Sequence, residues 1–333
     1  MILVTGGTGL VGSHLLFQLT KKGQNVRATY RRFSTIENVK TVFSYYTKDV
    51  ALFERIEWIE APLNDIGKLS EAFVGISKVY HCAACISFDP SDYRLLRNTN
   101  IKGTANVVNL CVKYQIQKLC YVSTIATLGF DSETISEEMH WQGNRNQNVY
   151  AISKYGAEME VWRGTQEGVP AVIVNPGVII GPGCWNSGSG LLFKLAQKEQ
   201  PYFTNGVTGF VAVRDVTTAM IELMQSDHRN ERFILVSENK SYLEIMTTIA
   251  TNLKVKPPSK LASKTKLEWA WRLDWMASKF FRRRRRLTKP LALTLNTVYR
   301  YDNSKIKSAL DGFEFQPISE SLSATCQIFS ADF

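Results

Sequence analysis

The sequence contains no hydrophobic run long enough to cross a lipid bilayer. Its longest apolar stretches, such as residues 169–180, are interrupted by proline and glycine, whereas a spanning helix needs about 20 mostly apolar residues. We also expect no signal peptide, because Met1 leads directly into a strand-like apolar run. These absences predict a cytoplasmic protein.

Cysteine and histidine are scarce and scattered, with six and four copies. No His/Cys/Asp spacing resembles a metal site, so we expect no metal. Cys82 and Cys85 form a C-x-x-C pattern, but it ends a predicted strand and does not open a helix. We therefore expect reduced thiols without a redox role. His14, His140 and His228 are interpreted as packing or surface residues.

The basic charge is concentrated in one segment. The net charge is +10, but residues 279–289 hold seven basic and no acidic residues, which leaves +3 (10 − 7) for the remainder. A local cluster does not make a general polyanion-binding surface. We therefore expect no nucleic-acid partner.

Short β-branched runs alternate with helical patterns over the first 180 residues. The strand candidates are MILVTG, NVRATY, RIEWIE, KVYHCA, KLCYVS and AVIVNP. This alternation predicts an α/β fold, a doubly wound parallel sheet with helices on both faces. From Leu261 on, the pattern is nearly all helical. We predict a nucleotide-binding domain at 1–183 and a smaller, mostly helical substrate lobe at 184–333, with some exchange of strands and helices.

A glycine-rich turn opens the chain. Gly6, Gly9 and Gly12 give G-x-x-G-x-x-G between a predicted strand and an apolar-periodic helix, which is the context that a dinucleotide-binding turn requires. Glycine permits the tight turn and a close approach of pyrophosphate to the helix N-terminus. An ordinary glycine-rich turn is the alternative.

The end of the second predicted strand reads Thr29-Tyr30-Arg31-Arg32-Phe33. An acid at this point would bind the ribose 2′-hydroxyl of NAD, and none is present. Because arginine forks onto phosphate, Arg31 and Arg32 favour NADP(H), with NAD(H) possible. The alternative is that both are ordinary surface charges.

One helical stretch combines tyrosine and lysine. Residues 148–161 read NVYAISKYGAEMEV, and their composition favours a helix. Tyr150 and Lys154 are four apart and share a face, whereas Tyr155 points elsewhere. An ordinary i,i+4 pair is the alternative to a functional pair.

Taken together, these stretches resemble the extended short-chain dehydrogenase/reductase family, over nearly the whole chain. Within it, VRATYRR and NPGVIIGPG look most like the branch of dihydroflavonol-reductase-like and 3β-hydroxysteroid-dehydrogenase-like proteins. The motifs are TGGTGLVG (5–12), HCAA (81–84), NIKGTANVV (100–108), YVSTIATLG (121–129), YAISK (150–154), NPGVIIGPG (175–183) and FVAVRDV (210–216).

The resemblance implies a Rossmann fold, a homodimer and a Tyr-Lys-Thr mechanism. Counting back from Gly129 gives Thr124 as the catalytic hydroxyl and leaves Ser123 as the alternative; we favour Thr124. Pro62 stands where the family often has an aspartate near the adenine, so the chain departs from the family at this contact. The residues implied to bind the dinucleotide are Gly6, Thr8, Gly9, Leu10, Val11, Gly12, Arg31, Arg32, Leu63, Ala83, Ala84, Tyr150, Lys154, Pro176 and Val178.

The implied chemistry centres on Tyr150. Free tyrosine has a pKa of about 10 and is a poor base at neutral pH. We expect the ammonium of Lys154 to lower that pKa, so that Tyr150 acts as general acid/base while Thr124 holds the same oxygen. Lys154 would also grip the nicotinamide ribose.

Three functions fit these motifs. The first is an NADP-dependent reductase or dehydrogenase acting on a carbonyl or secondary alcohol. The second is a nucleotide-sugar epimerase or dehydratase, which uses the same Tyr–Lys pair and usually keeps NAD. The third is a non-catalytic dinucleotide sensor, although such sensors often lose the tyrosine. We favour the first.

We expect the substrate pocket to be built from the parts that vary within the family: residues 86–97, 128–148 and 184–206 and the C-terminal helices. These segments suggest a small, partly apolar substrate. They carry the aromatic residues Phe88, Phe130, Trp141, Trp185, Phe193, Tyr202 and Phe203. In some of these positions the aromatic ring could simply belong to the core.

The segment 266–286 is the last feature. We expect Trp269, Leu273, Met276, Ala277 and Phe280 to pack on the protein. Trp271 and Trp275 would face a lid loop, bound substrate or, with Arg282–Arg286, a weak peripheral membrane contact; we favour the lid. The family's dimer would form through helices starting near Ser91 and Tyr150.

Overall fold

The computed structural model describes residues 1–129, 134–143, 147–281, 283–285 and 287–333. Its main feature is a seven-stranded parallel sheet. In chain order its strands are β1 (Ile2–Thr5), β2 (Val26–Tyr30), β3 (Ile56–Glu60), β4 (Lys78–His81), β5 (Lys118–Val122), β6 (Ala171–Pro176) and β10 (Glu231–Leu235). The spatial order β10-β6-β5-β4-β1-β2-β3 confirms the predicted doubly wound Rossmann sheet.

Helices connect these strands across both faces of the sheet. The helix that starts near Ser91 is not α-helical throughout. A π-helical segment, Arg97–Lys102, lies between its two α-helical parts. The helices of this region are α1 (Leu10–Lys21), α2 (Ile36–Ser44), α3 (Ala51–Glu54), α4 (Ile66–Ala72), α5 (Tyr93–Leu96), α6 (Gly103–Lys113), α7 (Val149–Gln166) and α9 (Val213–Gln225).

The core lies on both faces of the sheet. Successive strand side chains point to opposite faces, so Ile2 and Val4 pack into one hydrophobic cluster and Leu3 into the other. All six side chains of β6 are buried, as expected for a central parallel strand covered twice. Because both faces of the sheet are covered, the loops that follow the strands lie together at its carboxyl edge.

The remaining elements form a smaller region with its own apolar core. Its strands make a three-stranded sheet, β11-β9-β7, and a two-stranded sheet, β12-β8. Two strands cross the predicted boundary at residue 183. β10 lies after the boundary in sequence but belongs to the large sheet, and β7 lies before it but pairs with β9. These strands are β7 (Val178–Ile180), β8 (Tyr202–Phe203), β9 (Val207–Ala212), β11 (Glu238–Ser241) and β12 (Lys260–Leu261).

The helices of this region follow the predicted helical pattern. Within the described ranges, none of the chain's helices has the length and apolar character needed to span a membrane. The helices are α8 (Gly190–Gln197), α10 (Tyr242–Asn252), α11 (Lys264–Phe280), α12 (Lys289–Thr294) and α14 (Ile318–Asp332). A further helix, α13 (Ser304–Ala309), packs on β10 of the large sheet.

The predicted orientation of α11 is wrong. The apolar face expected to pack on the protein is exposed, apart from the half-buried Ala277, and Trp271 and Asp274 on the opposite side face the body. Asp274 accounts for this orientation, because it pairs with Arg283 at 2.9 Å and accepts the Leu287 N–H at 3.2 Å. Arg282 and Arg286 lie outside the described residues. We call the exposed residues the α11 stripe: Trp269, Leu273, Met276 and Phe280.

Candidate active site

The turn between β1 and α1 is closed tightly on one side and open on the other. Gly6 has a φ of +70°, in the region that favours glycine. A Cβ on Gly12 would lie 2.2 Å from the Gly6 carbonyl oxygen, whereas a Cβ on Gly9 would meet that oxygen only at 3.5 Å. The open side beside the first turn of α1 therefore fits a pyrophosphate. The half-buried neighbours are Thr8, Leu10 and Val11.

Arg31 and Arg32 directly follow β2, and both side chains are exposed. Because β2 is parallel to β1 and adjacent to it, both arginines emerge at the same edge as the glycine turn. Burial raises the pKa of the Cys85 thiol, and the charge of Arg31 opposes the rise. Arg31 thus lies within electrostatic reach of the loop after β4.

Ala83 and Ala84 follow β4 at the same edge. A Cβ on Gly6 would come within 2.6 Å of the Ala83 backbone nitrogen, so this loop lies directly on the glycine turn. Leu63 follows β3, is buried, and accepts the Asn106 amide at 2.8 Å through its carbonyl oxygen. An open cleft of about 430 Å³ beside Leu63 is lined by Asn64, Asn98, Lys102, Ala105 and Asn106.

These polar side chains border the region where Pro62 replaces the family's aspartate. They offer amide groups and a cation in place of the missing carboxylate. On the far side of the edge, Pro176 ends β6 and Val178 begins β7. The predicted dinucleotide-binding residues of the glycine turn and of the segments after β2, β3, β4 and β6 therefore lie at the same edge of the large sheet.

Ser123 and Thr124 face different surroundings. Ser123 is buried and donates a 2.5 Å hydrogen bond to the Glu158 carboxylate. Thr124 is half-buried, and its hydroxyl oxygen accepts a weak 3.3 Å hydrogen bond from the Ala126 N–H, its one contact of this kind among the described residues. Helix α7 packs against the turn that follows Thr124. The Thr124 hydroxyl is thus less engaged within the protein than the Ser123 hydroxyl.

Tyr150 is the second residue of α7, which Asn148 caps by accepting the Ala151 N–H at 2.8 Å. Its half-buried ring meets Phe88 edge-to-face with centroids 5.7 Å apart. Burial, with a smaller effect of Cys85, raises the pKa of Tyr150 to about 12. This corrects the expected lowering by Lys154, since removal of the phenolate from water dominates. At neutral pH the phenol retains its proton.

Lys154 is buried and makes two hydrogen bonds to the end of β5. Its Nζ donates to the Tyr121 hydroxyl and to the Val122 carbonyl oxygen, both at 2.7 Å. Burial lowers the pKa of Lys154 to about 7, although the Glu158 carboxylate opposes that change. Lys154 therefore changes charge close to neutral pH, one turn along α7 from Tyr150.

Tyr121 belongs to a buried polar network that the sequence reasoning missed. His81 Nδ1 lies 2.6 Å from Thr5 Oγ1, and its Nε2 lies 2.9 Å from Thr104 Oγ1. The His81 and Tyr121 rings pack 5.3 Å apart. Burial lowers the pKa of His81 to about 3, so the imidazole is neutral. The histidine of HCAA was the available sequence signal for this network.

Asn100 is a second residue that the sequence reasoning did not assign. Its side-chain oxygen accepts the Cys85 N–H at 2.7 Å, and its amide donates to the Cys85 carbonyl at 3.0 Å and to Ser153 at 2.9 Å. It thereby ties the loop after β4 to α7, and this loop carries Phe88. The asparagine that opens NIKGTANVV could have indicated this position.

The predicted pocket aromatics fall into separate groups. Phe88 lies on Tyr150, and Trp141 stacks on Tyr155 at 4.5 Å. Trp185 and Phe193 are buried and pack on Phe329 in the small core, so they are not pocket residues. Tyr202 is exposed and Phe203 half-buried, and Phe130 lies outside the described residues.

The C-x-x-C pair is made of separate thiols. Cys82 and Cys85 are both free, as are the other four cysteines. Burial raises the pKa of Cys82 to about 12, so this thiol stays protonated and unreactive. Among the residues that the structure describes, no group of three His, Cys, Asp or Glu side chains is arranged to hold a metal ion.

The fold and this edge define a Rossmann-type enzyme that binds a nicotinamide dinucleotide. Residues 2–235 match the model of the NAD dependent epimerase/dehydratase family. The chain belongs to this family, and thus to the extended short-chain dehydrogenases/reductases, and is an NAD(P)-dependent enzyme. The resemblance seen in the motifs is thereby confirmed.

Individual proteins show the same relationship. The chain is 30% identical over 259 residues to "Putative dihydroflavonol 4-reductase" of Synechocystis sp., covering 74% of this chain and 71% of that protein. It superposes on the crystal structure of gox2253 with a TM-score of 0.81, at 23% identity and 100% and 98% coverage. It also superposes on UDP-glucuronic acid 4-epimerase from Bacillus cereus in complex with NAD, with a TM-score of 0.75, 19% identity and 99% and 98% coverage.

Proposed function

We propose that this protein is an NADP-dependent oxidoreductase acting on a carbonyl or secondary alcohol of a small, partly apolar substrate. The observation that carries the proposal is the placement of Tyr150: its half-buried phenol lies on α7 against Phe88, and α7 packs on the turn that follows Thr124. A group that keeps its proton at neutral pH is suited to protonate an oxygen on which negative charge develops.

Each residue at this edge has a separate role in the proposed reaction. Tyr150 holds a proton on its phenolic oxygen and donates it to the substrate oxygen. Thr124, with its hydroxyl nearly unused, hydrogen-bonds the same oxygen and holds it in line. Lys154 lies one turn along α7 and grips the nicotinamide ribose. The bound dinucleotide supplies the hydride in reduction and accepts it in oxidation.

The preference for NADP rests on the end of β2. Both arginines there are exposed, and residues 29–33 hold no acid that would bind a ribose 2′-hydroxyl. Guanidinium groups bind a phosphate bidentately, so Arg31 and Arg32 are assigned to the 2′-phosphate. The unpaired cysteines fit a cytoplasmic location, where thiols stay reduced.

The substrate character follows from Phe88. Its ring contacts Tyr150, so the group that approaches the phenol also meets an aromatic face. A relative's name, putative dihydroflavonol 4-reductase, fits a ring-shaped carbonyl compound of this kind. An aromatic or alicyclic ketone or aldehyde is the class to test first.

A nucleotide-sugar epimerase or dehydratase is the second candidate. The family name and the Tyr150–Lys154 pair support it, and the epimerase neighbour shares the fold. The arginines after β2 weigh against it, because such enzymes usually keep NAD.

Steady-state assays separate these candidates. Purified protein should oxidise NADPH over many turnovers with a panel of aromatic and alicyclic carbonyls, followed by the absorbance of the reduced nicotinamide. Conversion of a UDP-sugar without net NADPH consumption would favour the epimerase. Dinucleotide binding with neither reaction would point to a sensor.

A further inference from the structure

The α11 stripe is an exposed apolar surface on a structured helix. Trp269 is 65% exposed, Leu273 58%, Met276 46% and Phe280 79%, and the adjacent Phe281 is 77% exposed. The spacing of four, three and four residues places the stripe on a single line along the helix. So many large apolar side chains on one surface mark an interaction site.

The stripe cannot turn inward without breaking buried interactions. Asp274, on the opposite side of α11, pairs with Arg283 at 2.9 Å and with Arg285 at 3.8 Å, and it accepts the Leu287 N–H at 3.2 Å. Trp271 on the same side is half-buried. These contacts fix the rotation of the helix, so the exposure of the stripe is built into the fold.

The stripe is flanked by positive charge. Lys266 and Lys279 lie beside it on α11 and are exposed, whereas Arg272 pairs with Glu268. Arg284, beyond the end of the stripe, has 79% of its side chain exposed. A second copy docking through this face would bring like charges together. An anionic lipid surface complements both the α11 stripe and the basic side chains beside it. Its headgroups attract the basic side chains, and its interface accepts tryptophan and phenylalanine.

We propose that α11 is a docking surface for an anionic lipid bilayer, with the α11 stripe at the headgroup–acyl boundary and the basic residues on lipid headgroups. Binding is peripheral and reversible, as expected for an interfacial amphipathic helix. The proposal stands on the surface of α11 and does not depend on the enzyme's substrate.

The docking surface is connected to the candidate active site. The Arg285 N–H donates to Asp89 at 2.9 Å, and Arg284 lies 3.6 Å from Asp92. Asp89 and Asp92 belong to the loop after β4, whose Phe88 covers Tyr150. Docking through α11 would therefore hold the entrance loop of the site close to the membrane surface.

Co-sedimentation with vesicles tests the apolar part. The whole protein is mixed at low salt with vesicles of phosphatidylcholine alone or phosphatidylcholine containing phosphatidylglycerol. We expect binding to the anionic vesicles, and a loss of at least about tenfold in affinity for Leu273→Gln/Phe280→Gln. The control, Ile66→Gln/Val74→Gln, removes two similarly exposed apolar side chains in and after α4 and should bind as wild type.

A second pair tests the charge. Lys279→Gln/Arg284→Gln should weaken binding about 30-fold at low salt, at about fivefold for each basic residue near the surface. Lys21→Gln/Lys22→Gln removes two exposed lysines at the end of α1, on the opposite edge of the sheet, and should have no effect. High salt should release the wild type.

Three outcomes overturn the proposal. The first is no vesicle binding by the wild type at low salt. The second is equal loss in the α11 variants and their controls. The third is a dimer, detected by light scattering, that Leu273→Gln/Phe280→Gln dissociates while vesicles bind neither form; this would assign the stripe to a second copy. Unchanged NADPH binding in every variant verifies that the fold is retained.

Discussion

At the scale of single residues, burial sets the protonation states under the candidate site. It raises the pKa of Tyr150 to about 12 and lowers that of Lys154 to about 7. Tyr150 therefore keeps its proton throughout the neutral range. Lys154 is half charged at about pH 7, so if it contacts the nicotinamide ribose as proposed, cofactor affinity should weaken as pH rises through that value.

Cofactor choice is the first prediction at this scale. Arg31→Ser/Arg32→Ser should weaken NADPH binding by on the order of tenfold or more, since a charge-assisted hydrogen bond contributes about 1.5–3 kcal/mol. NADH binding should barely change, because NADH lacks the 2′-phosphate to which both arginines are assigned. Fluorescence titration of both cofactors measures the ratio. An unchanged preference would mean that the arginines are ordinary surface charges.

His14 gives a prediction of pH dependence. It is buried between the Pro182 carbonyl and the Tyr46 hydroxyl, and burial lowers its pKa from 6.5 to about 4. Unfolded chains bind this proton below pH 6.5 and the folded protein does not, so stability is lost as pH falls through that range.

In His14→Gln the loss in free energy of unfolding between pH 6.5 and pH 4 should be smaller by about 3 kcal/mol. Urea unfolding at a series of pH values measures the difference. Parallel curves for wild type and variant would show that His14 is protonated in the folded state as easily as in the unfolded chain.

At the scale of elements, a buried carboxylate joins α7 to β6 and β10. Glu158 is fully buried and accepts hydrogen bonds from Ser123, Thr127 and Asn175, and it pairs with Arg232 at 3.2 Å. The cluster fixes the strand end that carries Thr124 relative to the helix that carries Tyr150. Its geometry thus determines the distance across the candidate site.

Removing one partner of this pair should be costly. Arg232→Met leaves the Glu158 charge buried without its cation, and the free energy of unfolding should fall by about 3–5 kcal/mol. The control is Arg163→Met, which removes the same group from exposed pairs with Glu160 and Glu167 and should cost less than about 1 kcal/mol. Urea unfolding compares the two; equal costs would contradict the assigned role of Arg232.

Sequence reasoning predicted the elements better than their partners. The strands, the glycine turn and the start of α7 follow from local periodicity and capping. The partner of Lys154 does not, because Tyr121 lies on β5 and meets it only through tertiary packing. The helical wheel of α11 separated the two faces only in part, since Trp275 is 49% exposed and Ala277 is half-buried. The buried Asp274 pairs, and not apolarity, determined which face turned inward.

At the scale of the whole molecule, we propose a homodimer through the helices that start near Ser91 and Tyr150. Leu95, Ile152 and Met159 are exposed apolar side chains on these helices. Light scattering at micromolar concentration should give twice the chain mass, and Ile152→Glu/Met159→Glu should give the monomer. A monomeric wild type would refute the proposal.

The most direct test of the whole account is turnover by Tyr150→Phe beside Tyr155→Phe. Phenylalanine keeps each ring and removes only its hydroxyl. The Tyr155 ring stacks on Trp141, which phenylalanine preserves, so this variant should consume NADPH with a carbonyl substrate nearly as wild type does. Tyr150→Phe should still bind the dinucleotide but lose at least about a hundredfold in kcat, because the proton donor is gone. Equal losses in the two variants, or full activity of Tyr150→Phe, would contradict the account.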